Sequence, residues 1–176
     1  MYMKTLTILA LGALSIAAPT PDKRGLVARA AVLKDTTYNA ISISGGKAGN
    51  AKAEATAVFS ALDLQNPENI DPADLTFLNN VNQVANDAEK SAFNTAVAAA
   101  SGDEATQIQN GKIKNKVLKL MATVIKLQAQ QAQGQDVAAK LADETKKLNN
   151  NIALDTKAAG QTSIAEPFDA TISGSK

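Results

Sequence analysis

Apolar residues recur at steps of three and four through most of the second half of the chain, which is the spacing of an amphipathic α-helix. The first such segment begins at Asp71-Pro72. Asp71 can cap a helix, and Pro72 suits the first helical position because its φ is fixed and it has no N–H group. The spacing predicts one helix over residues 71–100. Its apolar stripe consists of Leu75, Leu78, Val81, Ala85, Ala88, Ala92, Ala96 and Ala99.

A second long helix is predicted over residues 104–133, after a turn at Ser101-Gly102-Asp103. It has two apolar rows, so we expect it near the centre of the core. The two segments have nearly equal lengths and are joined by a short turn, which predicts an antiparallel pair. The first row is Ile108, Ile113, Val117, Leu120, Val124 and Leu127, and the second is Leu118, Met121 and Ile125.

Three shorter segments complete the predicted fold. Gly134 precedes a helix predicted over residues 136–159, and Gly160 is a suitable terminator for it. Upstream, helical patterns cover residues 26–43 and 48–62.

Together these segments predict an all-α domain over residues 25–160, folded as an antiparallel bundle of four to five helices. Residues 64–70 are predicted to form a loop. Residues 161–176 are polar, and we expect them to form a flexible C-terminal tail.

The first 18 residues have the pattern of a cleaved signal peptide. Lys4 precedes a short apolar run, and the small residues Ser15 and Ala17 stand where a signal peptidase cuts. The apolar run is shorter than the roughly 20 residues that a membrane-spanning helix needs. We therefore expect a secreted, extracellular protein without a transmembrane span.

Residues 19–24 are predicted to be a short propeptide that ends in the dibasic pair Lys23-Arg24, a site of the kind that kexin-type proteases cut. Arg29 is a second basic candidate for the cleavage position, and the sequence does not decide between Arg24 and Arg29. Removal of residues 1–24 takes away three basic residues and one acidic residue, which changes the formal net charge from +1 to −1.

The chain contains no cysteine and no histidine, which excludes Ser-His-Asp triads, Cys-His dyads, ordinary zinc sites and disulfides. Its near-neutral charge provides no field that attracts nucleic acid, and six aromatic residues are too few for a base-stacking platform. We expect neither an enzyme nor a cofactor, and we assign no catalytic or metal-binding residue.

Two features invite a binding hypothesis. In Gly45-Gly46-Lys47-Ala48-Gly49-Asn50, Lys47 could bind an anion at the start of the next helix, although a plain helix break explains the glycines as well. Four lysines lie near one face of the second long helix and could form a docking surface for an acidic partner, or simply a solvated face. They are Lys112, Lys116, Lys119 and Lys126.

Three stretches of the sequence resemble the cysteine-poor small secreted proteins of filamentous fungi. These stretches are Ser42-Ile-Ser-Gly-Gly-Lys-Ala-Gly-Asn-Ala-Lys-Ala-Glu-Ala55 with Phe59, Gln109-Asn-Gly-Lys-Ile-Lys-Asn-Lys-Val-Leu-Lys-Leu120, and Lys146-Lys-Leu-Asn-Asn-Asn-Ile-Ala-Leu-Asp155. The resemblance implies a fungal origin, secretion and a role at the host or cell-wall interface. It implies no catalytic residue.

Two functions fit these observations. The first is a secreted, effector-like interaction protein that binds a host or cell-wall component through the surface of the bundle. The second is a carrier or coat protein for apolar ligands, which binds lipid or a hydrophobic surface. A continuous apolar pocket of several hundred cubic ångströms favours the carrier, whereas a filled core with an exposed patch favours the interaction protein.

Overall fold

The computed structural model describes residues 30–174, and most of these residues are helical. The helices are α1 (Tyr38–Ile41), α2 (Ala51–Val58), α3 (Pro72–Ala88), α4 (Asn94–Ala99), α5 (Gly102–Ala132) and α6 (Ala138–Lys157), with a 3₁₀ turn at Pro67–Asn69. Short antiparallel strand pairs join β1 (Thr36–Thr37) to β4 (Thr171–Ile172), and β2 (Gly46–Lys47) to β3 (Thr162–Ser163). The predicted helical class is confirmed.

Helix α5 lies at the centre of the fold, between α3 and α6. Both predicted apolar rows are buried, apart from the half-buried Met121. Along the polar contacts between α3 and α5, residue numbers rise on one helix as they fall on the other. Asn79 Oδ1 accepts a hydrogen bond from Lys126 Nζ at 2.8 Å, and Asn82 Nδ2 donates to Thr123 Oγ1 at 2.8 Å. The predicted antiparallel arrangement of these two helices is therefore present.

The first long segment begins as the sequence predicts, because Asp71 Oδ1 accepts a hydrogen bond from the Ala73 N–H at 2.8 Å. It does not continue as one regular α-helix. A π-helical turn at Glu89–Phe93 separates α3 from α4, and the Asn94 N–H bonds to the Glu89 carbonyl. This extra residue moves the buried stripe from Ala88 to Phe93, and Ala92, which the predicted stripe includes, is half-buried.

The helix predicted over residues 26–43 is wrong for residues 30–37 and 42–43. Only Tyr38–Ile41 is helical there, and residues 30–35 have no regular structure. The buried Asp74 carboxylate accepts hydrogen bonds from the Val32 and Leu33 N–H groups at 2.8–3.1 Å. These backbone donors are committed to the start of α3, so they cannot continue a helical ladder.

The predicted flexible tail is also wrong for residues 161–174. Strands β3 and β4 tie this segment to β2 and β1, and the side chains of Ser163 and Ile172 are buried. Ile172 belongs to the main hydrophobic core. Residues 161–174 are thus part of the domain, although the sequence predicts that the domain ends at residue 160.

The predicted signal peptide and propeptide lie outside the described residues, as do the processing positions Ala17, Lys23 and Arg24. None of the helices formed by residues 30–174 combines the length and the apolar character that crossing a membrane requires.

Candidate ligand-binding groove

A buried lysine joins the glycine-rich loop, residues 44–50, to the central helix. Lys114 is 0% exposed, and its Nζ donates hydrogen bonds to the Gly45 carbonyl at 2.7 Å and to the Lys47 carbonyl at 3.1 Å. The same Nζ forms an ion pair with Glu54 Oε2 at 2.8 Å. Three oxygen atoms thus compensate the charge that burial would otherwise leave unpaired.

The same face of α5 receives the C-terminal segment. Asn110 Nδ2 donates to the Thr162 carbonyl at 3.0 Å, and Ser163 Oγ donates to the Ser44 carbonyl. Gly111 permits this close approach, because a Cβ atom built there would lie 1.8 Å from the Ile164 carbonyl oxygen. Two of the three stretches that carry the sequence resemblance, residues 42–55 and 109–120, meet at these contacts.

Asp155 anchors the start of α2 to the last turns of α6. The side chain is 2% exposed, and its Oδ2 accepts a hydrogen bond from the Ala51 N–H at 2.9 Å. A carboxylate is favourable at this position because the N-terminus of a helix carries partial positive charge. The other oxygen, Oδ1, is buried and has no hydrogen-bond partner within the described part of the chain.

This anchor bears on the predicted anion site at Lys47. The Ala51 N–H, one of the donors that an anion would use at the start of α2, already binds Asp155. The Lys47 side chain extends across to β3, where Nζ donates to Thr162 Oγ1 at 3.2 Å. Gly46 and Gly49 have φ angles of 84° and 113°, values that glycine adopts without strain. The local geometry is that of a helix break.

The four lysines predicted as a docking surface do not form a free row. Lys119 Nζ forms an ion pair with Glu89 Oε2 at 2.6 Å, and Lys116 Nζ lies 3.8 Å from Glu89 Oε1. Lys126 binds Asn79 on α3, and its pKa is lowered by burial and by the positive charge of Lys140. Lys112, which is half-buried, is the member of the row with no ion pair or hydrogen bond among residues 30–174.

An open apolar groove of about 620 Å³ lies between α2 and α6. Its α2 wall consists mainly of small side chains on the exposed face of that helix. The α6 wall includes Ile152, and Asp155 lies in the groove close to the start of α2. The lining residues are Gly49, Asn50, Lys52, Ala53, Thr56, Ala57, Ser60, Ile152, Asp155 and Thr156.

The groove has the properties of a binding site for a small molecule. Its volume falls within the roughly 300–1,000 Å³ of ligand pockets, and its surface is mostly apolar with a few polar groups. Among residues 30–174, no group of three or more acidic side chains is placed to hold a metal ion. The lining of the groove offers apolar contacts and polar groups that can form hydrogen bonds.

Sequence reasoning missed Asp155, Lys114 and the groove itself. One signal was present, because Leu148, Asn151 and Asp155 follow the three- and four-residue spacing of a buried stripe, and all three are buried in α6. A polar residue on such a stripe points to a buried contact. The groove has no comparable signal, since it depends on how far α2 stands from α6.

The chain has no match among curated proteins, and no solved structure matches it. One family model does match, over residues 33–167, and it is described as a domain of unknown function, DUF8454. The matched residues extend from the segment held by Asp74, through all six helices, to the segment after β3. Because this match covers more than half of the sequence, the chain belongs to the DUF8454 family.

Proposed function

We propose that this chain is a secreted, non-catalytic binding protein that carries an apolar ligand in the groove between α2 and α6. The observation that supports the proposal is the groove itself, which is open to solvent, mostly apolar and about 620 Å³ in volume. A pocket of this size favours the carrier among the two functions that the sequence leaves open.

Effector-like docking of a host or cell-wall component has less support. Its candidate surface was the lysine row, and Lys116, Lys119 and Lys126 all contact residues of α3 or the π turn. Charges that are paired within the chain attract an external acidic partner less strongly. The partner that we propose is therefore an apolar molecule in a host or wall environment.

Secretion is supported by the sequence of residues 1–24, and the body of the fold is compatible with processing there. The described contacts of the N-terminal segment begin at Val32, whose N–H binds Asp74. Cleavage after either Arg24 or Arg29 leaves these contacts in place. N-terminal sequencing of the protein recovered from culture medium should give Gly25 or Ala30 as the first residue, and an N-terminus at Met1 would contradict the proposal.

A neutral dye whose fluorescence rises in apolar surroundings tests the carrier function. We expect saturable binding to the processed chain with one site per molecule. The variant Ala53→Leu adds a bulky side chain to an exposed position on the α2 wall, so the affinity should fall at least tenfold. A matched control is Leu154→Ala, because Leu154 lies on α6, is 50% exposed and does not line the groove.

The control variant separates groove binding from adhesion of the dye to exposed apolar side chains. Unchanged affinity in Leu154→Ala and weaker binding in Ala53→Leu support the proposal. Equal loss in both variants, or the absence of saturable binding to the unmodified chain, contradicts it.

A further inference from the structure

The two ionisable side chains that line the α2–α6 groove, Lys52 and Asp155, differ in exposure. Asp155 is 2% exposed, its Oδ2 accepts a hydrogen bond from the Ala51 N–H, and its Oδ1 is closed to solvent. A molecule that lies in the open groove therefore has little access to this carboxylate. Lys52 is exposed, so its ammonium group is the charge that such a molecule can reach.

The positive charge of Lys52 is not neutralised within the described part of the chain. Its side chain forms neither an ion pair nor a hydrogen bond with any of residues 30–174. On α5, by contrast, Lys114 is paired with Glu54, and Lys119 is paired with Glu89. The ammonium group of Lys52 can therefore pair with an anion without breaking a contact inside the fold.

Helical spacing places this charge beside the apolar surface of α2. Lys52 and Thr56 are four residues apart and share one row along the helix, whereas Ala53 and Ala57 form the neighbouring row. Ile152 adds an apolar side chain from α6. The lining thus combines an apolar surface with one accessible positive charge, which suits a molecule that has a hydrocarbon chain and an anionic head group.

We propose that the groove binds a free long-chain carboxylate, a fatty acid, whose head group pairs with Lys52 Nζ. Its hydrocarbon chain lies against Ala53, Ala57 and Ile152. This assignment rests on the carrier function proposed above and adds the chemical class of the ligand. The chain without residues 1–24 has a formal net charge of −1, so a preference for an anion comes from the local charge and not from the whole molecule.

Isothermal titration calorimetry with three probes tests the assignment on the processed chain. Octanoate, 1-octanol and octylammonium share an alkyl chain and differ in the charge of the head group at near-neutral pH. We expect octanoate to bind at least about threefold more tightly than octylammonium, because an exposed ion pair changes affinity by that order. Added salt should reduce this difference, because salt screens exposed charges. The neutral alcohol measures the contribution of the alkyl chain.

Three variants assign the preference to Lys52. Lys52→Met should remove the preference for octanoate over octylammonium, whereas Lys52→Arg should retain it because the positive charge is kept. The matched control is Lys157→Met, since Lys157 is exposed on α6 and does not line the groove. This control should leave the preference unchanged. Both substituted positions are exposed, so we expect all three variants to fold.

The outcomes separate the two proposals. Equal affinity for octanoate and octylammonium, or tighter binding of octylammonium, overturns the carboxylate ligand. If Ala53→Leu weakens all three probes in that case, the carrier function stands. A preference for octanoate that persists in Lys52→Met, or that Lys157→Met removes equally, overturns the role of Lys52. No binding of any probe overturns both proposals.

Discussion

At the scale of single residues, the most consequential side chain is Lys114, which joins the glycine-rich loop to α5. It is a charged residue in the middle of the central helix, and it contacts two carbonyls of the glycine-rich loop and the Glu54 carboxylate. These contacts cross 60 or more residues of sequence, so they hold distant parts of the chain together. The predicted lysine row of α5 does not include Lys114, and helical periodicity gives no indication of these three partners.

The variant Lys114→Met keeps much of the side-chain volume and removes the charge. It leaves two carbonyls without their donor and Glu54 without its ion-pair partner, so we expect a loss of about 2–4 kcal/mol in the free energy of unfolding. Urea denaturation measures this loss. Lys112→Met is the matched control on the same helix and should change stability by less than about 0.5 kcal/mol. A Lys114→Met protein as stable as the parent would contradict the assigned role.

Ionisation of Tyr38 makes the stability of the fold depend on pH in the alkaline range. Burial raises the pKa of its phenol above 10.0, although the nearby hydroxyl groups of Ser42 and Ser44 partly oppose this effect. The unfolded chain therefore loses this proton at lower pH than the folded chain does. The stability that the protonated phenol contributes is fully present below about pH 10, and it is lost as the pH rises through the folded-state pKa.

The variant Tyr38→Phe should cost about 1–2 kcal/mol near neutral pH, because Asn115 Oδ1 loses the phenol donor that lies 2.8 Å away. The difference in the free energy of unfolding between the two proteins should narrow as the pH rises above about 10, since only the parent loses stability through this group. Urea midpoints at near-neutral and alkaline pH measure the gap. A gap that stays constant with pH would argue against the buried phenol as its cause.

At the scale of elements, the π turn at Glu89–Phe93 adds one residue to an otherwise regular helix. Deleting Ser91, which is exposed, should restore an α-helix with Ala88 and Phe93 still directed into the core. We expect a stability change within about 1 kcal/mol. Deleting Gln83, an exposed residue of α3, should instead rotate Ala85 and Ala88 by about 100° out of the core and cost several kcal/mol.

Circular dichroism during thermal unfolding compares the two deletions. Equal damage from both would mean that the π turn is required for the packing of α4.

The last strand provides a second test at this scale. Ile172 is 0% exposed and belongs to the main core, so Ile172→Ala should cost about 2–5 kcal/mol. Leu154→Ala, at a position that is 50% exposed, should cost less than about 1 kcal/mol. Chemical denaturation of the two variants gives the comparison. If Ile172→Ala is as harmless as Leu154→Ala, residues 161–174 behave as the flexible tail that the sequence indicates.

Elements with local signals were predictable, and elements that depend on distant contacts were not. Asp71 caps α3 as predicted, and Gly134 and Gly160 follow α5 and α6 with φ angles of 89° and 82°. In contrast, the Val32 N–H binds a carboxylate 42 positions away, and the Tyr38 N–H binds the Ala170 carbonyl. No window of neighbouring residues contains such information, so the first and last segments were misassigned.

At the scale of the whole molecule, the proposed function depends on the groove between α2 and α6. The small residues of α2 are visible in the sequence, but their distance from α6 is set by the anchors at Asp155 and at the Gly49–Ala159 contact. A Cβ atom built on Gly49 would lie 2.8 Å from the Ala159 Cβ, which shows how closely the two elements approach at this end. The groove opens beyond that point. Because the sequence does not show this opening, it does not decide between the carrier function and the docking function.

Backbone amide chemical shifts, recorded by NMR on the processed chain during a titration with 1-octanol, test the central claim most directly. The account predicts saturable changes concentrated in α2 and in α6 from Ile152 to Thr156, with little change along the α3 contacts of the lysine row. Saturable changes centred on that row, or no saturable change anywhere in the chain, would contradict it.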